Sequence, residues 1–147
     1  MYKSGFVTVV GRPNVGKSTL LNQIIGEKIS IISDKPQTTR NKILMVYTEE
    51  DFQVVFLDTP GIQMPKNILG EYMLKISKST LEEVDAVAFM VDESMEIGKL
   101  DKYIIEELKE ISTPIILLIN KTDKLKEEEI LFLINKYLKV LNTFQKI

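Results

Sequence analysis

Three short stretches of this chain hold residues whose types and spacing could do chemistry. The first is GRPNVGKS, Gly11–Ser18, set between an apolar run, FVTVV, and an apolar stretch with helical periodicity. It fits the pattern of a glycine, four residues, a second glycine, a lysine and a hydroxyl. Glycines let consecutive backbone N–H groups curl towards one anion, and a helix that starts there adds its partial positive charge. Lys17 would reach the β- and γ-phosphates of a nucleoside triphosphate, and the Ser18 hydroxyl would bind Mg²⁺. The expected contacts run through Gly11, Arg12, Pro13, Asn14, Val15, Gly16, Lys17, Ser18 and Thr19.

The second stretch is DTPG, Asp58–Gly61, at the end of another apolar run. A carboxylate there can hold the Mg²⁺ shell, and Gly61 can bring a backbone N–H close to the γ-phosphate. Thr59 and Pro60 complete this second set of nucleotide contacts. The third is NKTD, Asn120–Asp123. Asp123 can accept from N1–H and the exocyclic amine of guanine, and adenine offers neither donor there. A site built to pair such donors rejects a base that lacks them by powers of ten. Asn120 would tie this loop to the glycine loop, and the Lys121 stem would cover the plane of the base.

Composition narrows the remaining chemistry. The chain has 147 residues, 44% apolar and 27% charged, with a net charge of -2. That suits one globular domain with a real core. No basic field would drive non-specific binding to nucleic acid or anionic lipid. There is no cysteine and no histidine. Disulfides, thiolate metal sites, histidine-bound zinc and a histidine general base are therefore excluded. No apolar run approaches the roughly 18 residues that span a bilayer. The expectation is a soluble, cytoplasmic protein.

The elements that must position these residues alternate between strand and helix patterns. Strands are expected at Phe6–Val10, Ile43–Thr48, Phe52–Asp58, Ala86–Asp92 and Pro114–Asn120. Helices are expected at about Lys17–Ile25, Gly70–Glu83, Lys99–Ile111 and Lys126–Leu141. AVAFMVD and PIILLIN are nearly continuous apolar runs, as in strands covered on both faces. Only EED separates the second and third strands, which fits a hairpin. The pattern predicts an α/β sandwich with a mostly parallel sheet and one antiparallel strand at an edge. Ser30–Asn41 and Thr59–Leu69 lack periodicity and read as loops near the strand ends where α/β ligands bind.

Together GRPNVGKS, DTPG and NKTD resemble the translation-factor-related GTPases, a P-loop NTPase three-layer sandwich. SDKPQTTR, Ser33–Arg40, and the longer GRPNVGKSTLLN resemble the Era family in particular. The resemblance implies a Mg²⁺-dependent GTP/GDP switch that hydrolyses GTP slowly, binds 16S rRNA and assists assembly of the 30S ribosomal subunit. It allows peripheral association of the intact protein with the inner membrane. It implies that Thr39 joins Ser18 and Asp58 at Mg²⁺ when GTP is bound, and that Lys17, Thr39, Gly61 and Asn14 serve catalysis. Ile62 stands where many relatives carry a water-orienting glutamine. Asn14 resembles an asparagine that helps bind K⁺ beside the phosphates in some relatives, a loop-stabilising amide being the alternative. Arg12 and Arg40 could supply charge or simply be solvated. Era-like proteins continue into a further strand, a Ser-Ala loop, a helix and an RNA-binding KH domain. Residues 1–147 are thus expected to be a G domain incomplete at its C-terminus, with the last strand and helix missing. PIILLIN would then be a bare sheet edge, inviting self-association or domain swapping. A guanine-nucleotide-binding module without competent turnover is the alternative for this length of chain.

Overall fold

The computed structural model describes residues 1–12, 14–17, 19, 20, 23, 29–33, 44–57, 78–141 and 144–146. Strand β1 (Lys3–Val10) lies in the middle of a seven-stranded sheet with β2 (Ile29–Ser33), β3 (Leu44–Thr48), β4 (Phe52–Leu57), β5 (Ala86–Val91), β6 (Ile115–Ile119) and β7 (Phe144–Lys146). The order across the sheet is β2-β3-β4-β1-β5-β6-β7. Between the strands run α1 (Lys78–Glu83), α2 (Lys99–Lys109) and α3 (Glu127–Leu141). Lys17, Thr19, Leu20 and Gln23 are also helical.

Strand alternation sorts the core into two layers. On one face Val10, Val55, Val87, Phe89, Val91, Ile115 and Leu117 pack with Leu81 of α1, Ile104, Ile105 and Leu108 of α2, and Leu133, Tyr137 and Leu141 of α3. Phe89 meets Tyr137 edge to face, with ring centroids 5.9 Å apart. On the other face Val9, Ala88 and Met90 pack with Val15 and, partly buried, Leu20. The mostly parallel α/β sandwich is borne out.

The two ends of the sheet differ from expectation. The antiparallel strand β3 pairs with β4 through Leu44↔Leu57 to Thr48↔Gln53, as the hairpin predicts. It is not the edge strand, however. Ile29–Ser33 pairs outside it as β2, with Ile29 opposite Tyr47. Ser30–Ser33 is therefore strand, and not the start of a loop. At the other end β6 is not a bare edge. Phe144 pairs with Ile115, and Lys146 with Ile116, in parallel. The described pairing covers the first part of β6.

From β1 the chain first builds the β4 side of the sheet and then crosses to β5. This reversal creates a switch point, where crevices form beyond the carboxyl ends of parallel strands. The residues just past β1, β5 and β6 are Gly11, Asp92 and Asn120. Two of the three sequence motifs thus meet along one rim.

Candidate functional site

The loop after β1 is shaped by two close approaches. A Cβ on Gly11 would lie 2.6 Å from the Met90 carbonyl oxygen, so only glycine lets the chain pass the end of β5. Gly16 has φ +107, and a Cβ there would meet Asn120 Nδ2 at 2.0 Å. Asn14 also has positive φ, 70, a conformation that asparagine tolerates better than most residues. Val15 is fully buried in the second core layer and pins the middle of the loop. The Leu20 N–H then donates to the Gly16 carbonyl at 2.9 Å, which starts the following helix.

Asn120 and Lys121 hold the NKTD loop against this one. Asn120 Nδ2 donates to the Val15 carbonyl at 2.8 Å, and Lys121 Nζ donates to the Asn14 carbonyl at 2.9 Å. The Asn120 N–H donates to the Val91 carbonyl at 2.8 Å, anchoring the loop to β5. Lys121 itself is left-handed, φ 61, and turns the chain into a short 3-10 turn, Thr122–Lys124. Asp123 stands in that turn and is exposed. The cost of leaving it unpaired would therefore arise only once a base covers it.

Lys17 is buried and donates to the Gly11 carbonyl at 2.5 Å. Burial pulls its pKa down from 10.5 to about 8. Its ammonium thus sits in a dry loop where an added anion would strengthen it.

Arg12 is neither solvated nor facing an open pocket with its charge to spare. Its guanidinium pairs with Asp92 and, at 3.2 Å, with Asp101 Oδ2, while Nη2 donates to Ser94 Oγ at 3.2 Å. Burial alone would lower the Arg12 pKa, but the two carboxylates raise it. For Asp92, burial pushes upwards. The Ser94 donors and Arg12 outweigh that and hold it below the usual carboxylate range. Asp101 is raised because burial outweighs Arg12. Asp92, Ser94 and Asp101 were not singled out in the sequence. The one available signal was an aspartate closing the apolar run AVAFMVD.

Pro13, Ser18, Thr39, Asp58, Thr59, Pro60 and Gly61, with Arg40 and Ile62, lie outside the described residues. Among the described residues no group of three or more acidic side chains could hold a metal ion. No helix of the described residues is long and apolar enough to cross a membrane.

The chain matches known proteins. The family described as 50S ribosome-binding GTPase covers residues 6–121. The chain belongs to that GTPase family. It is 68% identical over 127 residues to GTPase Era of Alkaliphilus metalliredigens, spanning 86% of this chain and 43% of that protein. To GTPase Era of Alkaliphilus oremlandii it is 64% identical over 136 residues, 92% of this chain and 46% of that protein. Among solved structures, Era in complex with MgGDPNP and nucleotides 1506–1542 of 16S ribosomal RNA is 42% identical. Its TM-score is 0.74, over 100% of this chain and 50% of that one. The Era resemblance read from SDKPQTTR and the phosphate loop is borne out. The chain spans less than half the length of these Era proteins.

Proposed function

We propose that this chain binds guanine nucleotide and hydrolyses GTP to GDP and phosphate, as the G domain of an Era-type switch. The observation that carries the reading is the pair of bonds from Asn120 and Lys121 to the Val15 and Asn14 carbonyls. They fix a base-reading loop against a phosphate-reading loop. Guanine would stack beside Lys121 and donate to Asp123. Its phosphates would follow the loop amides to Lys17, whose charge opposes the charge that builds on the β- and γ-oxygens.

The donor set Ser18, Thr39 and Asp58 consists of hard oxygens, which suits Mg²⁺. When bound, the ion would neutralise charge on the phosphates. Asn14 would help hold K⁺ beside the phosphates, and Gly61 would supply an N–H to the γ-phosphate. Because isoleucine cannot orient water by hydrogen bonding, Ile62 makes intrinsic turnover slow. The Era complex with 16S ribosomal RNA supports an rRNA partner for the whole protein, and we infer that the whole protein would act with it in assembly of the small subunit, in the cytoplasm.

The reading is tested by displacing fluorescent GDP with GTP or ATP, followed by single-turnover phosphate release. Displacement by GTP alone and slow release of phosphate are expected. Equal displacement by ATP would overturn the guanine assignment, and binding without any release would overturn the hydrolase.

A further inference from the structure

Arg12 lies within GRPNVGKS, yet its charge is consumed elsewhere. Asp92 directly follows β5, and Asp101 sits in the first turn of α2. Asp101 is 1% exposed and Asp92 6%. Among the described residues Asp101 Oδ1 has no hydrogen-bond partner, and Arg12, paired with Oδ2, is the cation that offsets this buried carboxylate. Withdrawing a guanidinium from two nearly dry carboxylates leaves uncompensated charge, which is strongly unfavourable. Arg12 is therefore held where it is. Behind it α2 is itself fixed, with Ile104, Ile105 and Leu108 fully buried.

We propose that Arg12, Asp92 and Asp101 form a clamp that holds the first turn of the phosphate loop against β5 and α2. Arg12 is then a positioning residue and not a phosphate ligand. The clamp fixes the chain immediately beside Gly11, whose passage past Met90 leaves no room for adjustment. The amides that follow, from Asn14 to Lys17, inherit that placement. The inference rests on the reading of Gly11–Ser18 as a phosphate loop.

Six proteins test it: the unaltered chain, R12Q, R12K, D92N, D101N and the double variant R12Q/D101N. Each is assayed well below its melting temperature, so that loss of fold does not enter. R12Q and D101N should each weaken GDP and GTP alike, on the order of tenfold, the scale of one charge-assisted contact. The double variant should be little worse than either single one, because both break the same contact. R12K should recover part of the loss, since it restores the charge but cannot span both carboxylates. D92N takes the place of D101N should that protein fail to fold. A direct phosphate ligand predicts the opposite sign: D92N or D101N would free the guanidinium, remove negative charge and tighten binding. That result would overturn the clamp. Amide hydrogen exchange at residues 14–17, measured without nucleotide, separates this inference from the proposed function. Faster exchange in R12Q and D101N is expected, and unchanged exchange would overturn the clamp whatever the nucleotide does. A chain that bound no nucleotide yet showed the faster exchange would overturn the function and keep the clamp.

Discussion

Gly16 shows how much of the site depends on single atoms. Its φ of +107 and the 2.0 Å approach to Asn120 Nδ2 leave no room for a methyl group. Gly16→Ala should push Asn120 off the Val15 carbonyl and destabilise the fold by about 1–3 kcal/mol, the cost of a lost bond and a strained residue. Urea unfolding of the variant would check this, and an unchanged midpoint would mean that the loop adapts. Lys17 gives a second prediction, with opposite signs for folding and binding. Its pKa is about 8 when folded against 10.5 as an ordinary lysine. Between those values the unfolded chain holds more protons, so this group makes folding stability rise with pH. Phosphate favours the ammonium, so binding should be strongest below about 8 and weaken above it. Pyrophosphate titrations of the unaltered chain and of Lys17→Ala across that range avoid the ionisation of the base, and their difference cancels that of the anion. The decline should appear in the unaltered chain alone, and identical profiles would contradict it. At this scale the meeting of Asn120 with the glycine loop was legible, because the spacing within each of the two motifs is local. The clamp was not, since Arg12 lies 89 residues from Asp101 and 82 from Ser94, and no local pattern links them.

At the scale of elements, periodicity was informative where helices are amphipathic and strands are buried on both faces. The stretches Lys99–Ile111 and Lys126–Leu141 became α2 and α3, and the run AVAFMVD became β5. ISIIS did not announce itself as β2, because no strict alternation marks it and its partner β3 supplies the pairing. The region from Gly70 was expected to be helical, and its described part is α1, Lys78–Glu83. Helix α2 bears directly on the site, because it carries Asp101 on its first turn and Leu108 near its last. Leu108 is fully buried. Leu108→Ala should cost about 2–5 kcal/mol of stability through the cavity it leaves. Thermal unfolding should show the loss, and a melting temperature unchanged from the parent would mean that α2 contributes little to the core.

For the whole molecule, the sheet order explains why distant motifs converge. The reversal at β1 places the ends of β1, β5 and β6 side by side, so that loops from opposite ends of the sequence can exchange hydrogen bonds. Alternating strand and helix patterns made this architecture legible, but the strand order at its two edges depended on pairings that no single segment encodes. The central claim is that this rim reads guanine through Asp123. The most direct measurement is competition of GTP, ATP and xanthosine triphosphate for the unaltered chain and for Asp123→Asn. The account predicts that the unaltered chain selects GTP. It also predicts that Asp123→Asn loses GTP by at least roughly tenfold, two charge-assisted bonds being removed, and gains xanthosine triphosphate, whose carbonyl suits an amide donor. Unchanged preference for GTP in Asp123→Asn would contradict it.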